Sequence, residues 1–186
     1  LYPTGDTWVS NAANKLESNY GENAQLRVGK NAARESFLKF KVSGIQGSVT
    51  SAKLRLYSIT VDQTVHCNEL DSTSWVEDAV TYANRPSMGD RTDSVVAVRG
   101  AWNEFDVSSY ITADGVYAFG LEGTGSNKDF SSKEGSHLPQ LVIECSDPIT
   151  MDHNVRAIQG ADGVVVEFLA SDVQADGTIQ LALLGA

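Results

Sequence analysis

The chain has 186 residues, with 14 Lys and Arg against 24 Asp and Glu, a formal charge of −10. That acidity argues against nucleic acid as the main partner, because phosphate binding needs a positive surface. No apolar run approaches the roughly 20 residues of a membrane helix, and a 41% hydrophobic content is enough to build a real core.

The sequence opens on Leu1 with no basic-then-apolar leader, which reads as a mature product and is compatible with secretion. Strand periodicity follows. Phe37 to Val42 alternates, with Leu38, Phe40 and Val42 on one face and Lys39 and Lys41 on the other. Lys53 to Tyr57 and Gln140 to Glu144 repeat the pattern. Helical turns are expected only near Val76 to Ala79 and Ser108 to Ile111. An Ala-Asp-Gly turn recurs at 113–115, 161–163 and 175–177, each before an apolar run. Asp-Gly suits the positive φ of a tight hairpin, so all three read as hairpin turns. The alternative, a calcium loop over Asp172 to Gly177, lacks full oxygen-ligand spacing.

Asp147-Pro148 marks a domain exit. Beyond it, Gly163 to Leu169 and Thr178 to Leu184 read as two further strands in a tail with six acidic residues and one Arg. The expected fold is therefore all-β: an antiparallel β-sandwich over 1–146 and an acidic two-stranded extension over 147–186.

Chemistry-bearing patterns are sparse. Nucleophile-elbow, zincin, Walker and dinucleotide motifs do not occur. Glu77 and Asp78 are neighbours, and adjacent carboxylates on a strand face opposite ways, so no enzyme is expected. Cys67 and Cys145 are either a disulfide closing a long loop or two buried thiols. No cofactor is expected, apart from a structural calcium for which Asp6, Asp106 and Glu134 are the candidates. Trp75, Trp102, Tyr82 and Phe105 read as core in preference to sugar-stacking platforms. Lys133 with Glu134 is either an ion pair or part of a ligand rim.

Seven segments occur in an order that resembles the DNRLRE domain, whose relatives include carbohydrate-binding module family 96 and disaggregatase-related surface proteins. They are Asn19-Tyr20-Gly21, Leu26 to Gly29, Arg34 to Phe40, Ser51 to Tyr57, Trp75 to Glu77 with Val80 to Pro86, Trp102 to Val107, and Phe130 to Glu134 with Pro139 to Leu141. Tyr82 stands where the family usually has tryptophan, and Lys41 where an aspartate commonly follows the Phe. The resemblance implies a jelly-roll-like sandwich in secreted or surface proteins, usually non-catalytic. It also points to the N-terminal basic region for alginate-type ligands.

Two readings follow, both placing the protein outside the cell or on its surface. In the leading one it is a self-assembling filament or surface subunit, whose partner is a copy of itself. The tail stripe Val164, Val166, Phe168, Ile179, Leu181 and Leu183 would add to a neighbour, with Lys39, Lys41, Lys53 and Arg55 as a basic counterpart face. In the alternative it binds an acidic polysaccharide through Lys15, Tyr20, Arg27, Lys30, Arg34 and Lys133. Between Lys15 and Arg55 eight basic residues face three acidic ones, so a local positive patch survives the global charge.

Overall fold

The computed structural model describes residues 1–60 and 62–146, together with the backbone of 156–160 and 163–167. It divides into two units, Leu1–Asp147 and Pro148–Ala186. The first unit holds ten strands: β1 Gly5–Ser10, β2 Gln25–Val28, β3 Arg34–Val42, β4 Val49–Tyr57, β5 Gln63–Leu70, β6 Met88–Ala97, β7 Trp102–Asp106, β8 Gly115–Gly123, β9 Lys128–Ser131 and β10 Gln140–Cys145. The second unit holds a hairpin of β11 Arg156–Gly160 and β12 Gly163–Glu167.

Strands β1-β3-β8-β5-β6 form a five-stranded sheet, β10-β4-β7 a three-stranded sheet and β2-β9 a two-stranded one. All strand pairings are antiparallel. The alternation read from the sequence explains the core. Leu38 and Phe40 of β3, Phe119 of β8 and Val65 of β5 meet Leu54 and Leu56 of β4, Phe105 of β7 and Leu141 of β10. Leu26, Val28 and Phe130 of the small sheet close the same cluster. Each such side chain contributes about 1.5–3 kcal/mol when fully buried. The molecule is an antiparallel β-sandwich.

The opposite face of the five-stranded sheet is also covered. Val9, Phe37, Leu70, Trp75, Val80 and Ala118 form a second cluster, with Tyr82 and Met88 against it. This explains why Phe37 and Leu38, consecutive on β3, are both buried. Segment 71–87, with a single 3-10 turn at Glu77–Ala79, supplies Trp75, Val80 and Tyr82 to this cluster.

One expectation is corrected, one is met by a single turn, and the cysteine alternatives are decided. Ala113-Asp114-Gly115 is not a hairpin turn, because it joins β7 and β8, which belong to different sheets. The Asp114 carboxylate instead accepts hydrogen bonds from the amides of Gly44 and Ile45, both 2.8 Å, and these hold it below the usual carboxylate range. Ser108 to Ile111 is a turn, with the amides of Tyr110 and Ile111 both bonded to the Val107 carbonyl. Cys67 and Cys145 are free, the first buried and the second exposed. They sit on strands of opposite sheets, and burial pushes the Cys67 thiol up to about 12. In the tail, β12 begins where a strand is expected and pairs with β11, and residues 161–162 of the expected turn lie outside the described residues. The expected strand 178–184, and with it Phe168, Ile179, Leu181, Leu183 and the 175–177 turn, lies outside the described residues.

Candidate functional site

Strand β1 lies at the edge of the five-stranded sheet, yet all six of its residues are buried. An unprotected edge invites pairing with another chain, and here two chain segments cover it. Asn19 donates from its side-chain amide to the carbonyls of Glu77 (2.6 Å) and Val80 (2.7 Å), tying the 19–21 turn to segment 71–87. Glu77 Oε1 accepts the Asp6 amide at 2.7 Å. Asp6, Trp8 and Ser10 then share one face of β1, by alternation.

Around Trp8 the neighbourhood is cationic. Tyr20 stacks on the indole with ring centroids 3.8 Å apart and planes 16° from parallel. Lys15 Nζ lies 5.8 Å from the Trp8 ring centre and 5.6 Å from that of Tyr20. The Arg27 guanidinium lies 5.2 Å from the Trp8 ring and pairs through Nε with Asp129 Oδ1 at 3.1 Å. Both cations meet the electron-rich ring faces, an attraction that strengthens as water is excluded. Trp8 is only 1% exposed, so it is the floor of this cluster. The half-buried Tyr20, Lys15 and Arg27 are the groups that reach solvent.

Loop 29–34 adjoins the same edge. Ser10 Oγ and the Asn11 amide both donate to the Ala32 carbonyl, at 3.0 and 3.1 Å. Ala32 has φ 60°, in the left-handed region that disfavours any Cβ. Lys30 is exposed and Arg34 half-buried at the ends of this loop. Of the six residues expected to grip a polysaccharide, Lys15, Tyr20 and Arg27 are thus brought together over Trp8, and Lys30 and Arg34 stand on a loop tied to the end of the same strand.

Lys133 does not join them. Its ammonium bonds Glu77 Oε2 at 3.1 Å and Glu134 Oε1, and its amide donates to Asp6 Oδ2 at 2.8 Å. Burial, together with the charges of Glu134 and Glu77, pushes Asp6 up to about 7 despite that amide bond. Asp6 and Glu134 are thus neighbours, as the calcium candidates require. Asp106 is not: it sits on β7, bonded to Lys53 (2.7 Å) and Ser108 (2.7 Å), which draw its carboxyl down to about 2.

The outer face of the three-stranded sheet carries a different array. Tyr57 and Trp102 are cross-strand partners with rings 5.7 Å apart, and His137 stacks on Tyr57 at 3.9 Å. Arg55 lies 5.2 Å from the Trp102 ring and bonds Glu104 and Gln140, both at 2.9 Å. Trp102 is therefore a surface residue rather than the core residue expected, whereas Trp75 and Phe105 are buried. Tyr82 is half-buried beneath the Arg85 guanidinium.

The basic face drawn from Lys39, Lys41, Lys53 and Arg55 does not exist. Strands β3 and β4 lie in opposing sheets and share the core between them, so their outward residues point away from each other. Lys39 bonds the carbonyls of Trp75 (2.6 Å) and Thr73 (3.3 Å), and Lys53 and Arg55 are paired with Asp106 and Glu104.

The fold and this surface define a β-sandwich module with aromatic and cationic groups on an edge and on a sheet face. The chain belongs to carbohydrate-binding module family 96, whose family model matches residues 1–145. It is also similar to a gellan lyase from Bacillus sp, with 25% identity over 214 aligned positions. That alignment takes in this whole chain but only 9% of the lyase. Among the described residues, no helix is long and apolar enough to cross a membrane.

Proposed function

We propose that the protein is a non-catalytic, extracellular module that binds an acidic polysaccharide along the edge built by residues 15–34. The observation that carries this is the gathering of Lys15, Tyr20 and Arg27 over Trp8 in a chain of a carbohydrate-binding family. Tyr20, backed by the buried indole, offers a rigid ring to the apolar face of a sugar. Lys15, Lys30 and Arg34 supply charge-assisted bonds to carboxylates on the polymer, while Arg27 is already held by Asp129. The lyase relative, named for a polysaccharide, supports the same class of ligand. Carbohydrate binding thus has the support of the family, which the self-assembling subunit lacks.

Isothermal titration with alginate and with gellan tests the proposal. Affinity is expected to fall as salt rises, because exposed charges are screened beyond ~8 Å at physiological ionic strength. Tyr20→Ala and Lys15→Ala are each expected to weaken binding about tenfold, the worth of one 1.4 kcal/mol contact. Equal affinity in both variants would remove this edge as the site.

A further inference from the structure

Asp6, Glu77 and Glu134 come from three distant parts of the chain: the edge strand β1, the 3-10 turn in segment 71–87, and the turn after β9. One carboxylate oxygen from each lies within 4.8 Å of the others. Three carboxyl groups meet one cation in this cluster, the Lys133 ammonium on the two glutamates. The imbalance alone would be an ordinary acidic patch. A second observation sets it apart: Asp6 is 0% exposed, and its Oδ1 has no hydrogen-bond partner. Its other oxygen is held by the Lys133 amide, so the side chain is oriented and one acceptor is left unsatisfied in the interior. Buried polar atoms of this kind ordinarily find a partner, and a lone carboxylate oxygen out of water is costly.

We propose that Asp6, Glu77 and Glu134 form a calcium site that fastens segment 71–87 and the turn after β9 to strand β1. The donor set is all oxygen, with no histidine or thiol, and so suits a hard cation. The three oxygens are close enough to share one ion, and calcium, whose coordination is flexible and rich in carboxylates, suits ligands fixed by three separate chain segments better than magnesium, which demands near-ideal octahedral geometry. Lys133 holds the glutamates without reaching Asp6 Oδ1, and waters complete the coordination shell as is usual for this ion. The same three carboxylates pin the cover over the β1 edge, so the ion would protect that edge.

Chelator-treated protein titrated with calcium chloride tests this, by calorimetry and by thermal unfolding. One calcium per 1–146 unit and a melting temperature that climbs with calcium are expected, since a ligand of the native state alone stabilises it by mass action. Magnesium at the same concentration should give a smaller rise. Asp6→Asn and Glu134→Gln should each weaken calcium binding at least tenfold. The Glu134 side chain is 26% exposed where Asp6 is fully buried, so its variant carries the test if Asp6→Asn does not fold. Absence of both heat and thermal shift would overturn the proposal, as would calcium binding by Glu134→Gln equal to that of the parent.

Discussion

Two neighbourhoods on β1, two residues and about 7 Å apart, have opposite electrical character. Around Trp8 the chain has gathered cations; around Asp6 it has gathered carboxylates. The indole tolerates this company because the negative ring face attracts Lys15 and Arg27 while its apolar area is buried. Asp6 has no such means. Its neighbours Glu77 and Glu134 repel its charge, and only Lys133 opposes them. A buried aromatic ring can thus organise positive charge for presentation to solvent, whereas a buried carboxylate among carboxylates calls for a further positive partner. One edge strand thereby carries the cationic cluster proposed to bind polysaccharide and, beside it, the carboxylate cluster proposed to hold a cation.

The largest break in this contrast is Trp8→Ala. Removing a fully buried Trp costs about 3–5 kcal/mol, and it also takes away the floor under Tyr20, Lys15 and Arg27. Chemical denaturation should show that loss, with polysaccharide affinity falling further than in Tyr20→Ala. On the acidic side, Lys133→Met removes the ammonium shared by Glu77 and Glu134, whose side chains are about a quarter exposed. A loss of about 1–2 kcal/mol is expected for partly buried pairs. The loss should be greater in chelator than in calcium, and equal losses would separate Lys133 from the cation site. The smallest effect sharpens the geometry of the edge. Ala32→Gly relieves a left-handed alanine and should raise stability by up to about 1 kcal/mol, read as a shift in the denaturation midpoint at unchanged slope.

Alternation made β4 and β10 visible in the sequence because each has one face on the core and one outward, and it shows in β3 from Leu38 to Val42, although Phe37 on the far face is buried too. Strand β1 gives no such signal. Both its faces are covered, so Gly5-Asp6-Thr7-Trp8-Val9-Ser10 mixes polar and apolar residues without period. The cationic edge was partly legible, since Lys15, Tyr20, Arg27, Lys30 and Arg34 are close in the chain. Trp8, on which Lys15, Tyr20 and Arg27 gather, and Asp129, which pairs with Arg27, come from outside that stretch. Glu77 was visible only as the neighbour of Asp78, although Trp75 to Glu77 and Phe130 to Glu134 both stand within the family-like segments. The misplaced basic face has a simple cause: alternation says which residues share a face of one strand, but not which strands share a sheet. Val164 and Val166 lie on β12, and the assembly expected of them has no support beyond the sequence pattern.

The central claim is that the edge over residues 15–34 is where the polysaccharide sits, and amide shift mapping by NMR during titration with an alginate oligosaccharide tests it most directly. The account predicts perturbations concentrated at Lys15, Tyr20, Arg27 and the 29–34 loop, fading as salt is added. Perturbations confined to Tyr57, Trp102 and His137 on the three-stranded sheet, with the edge silent, would contradict it.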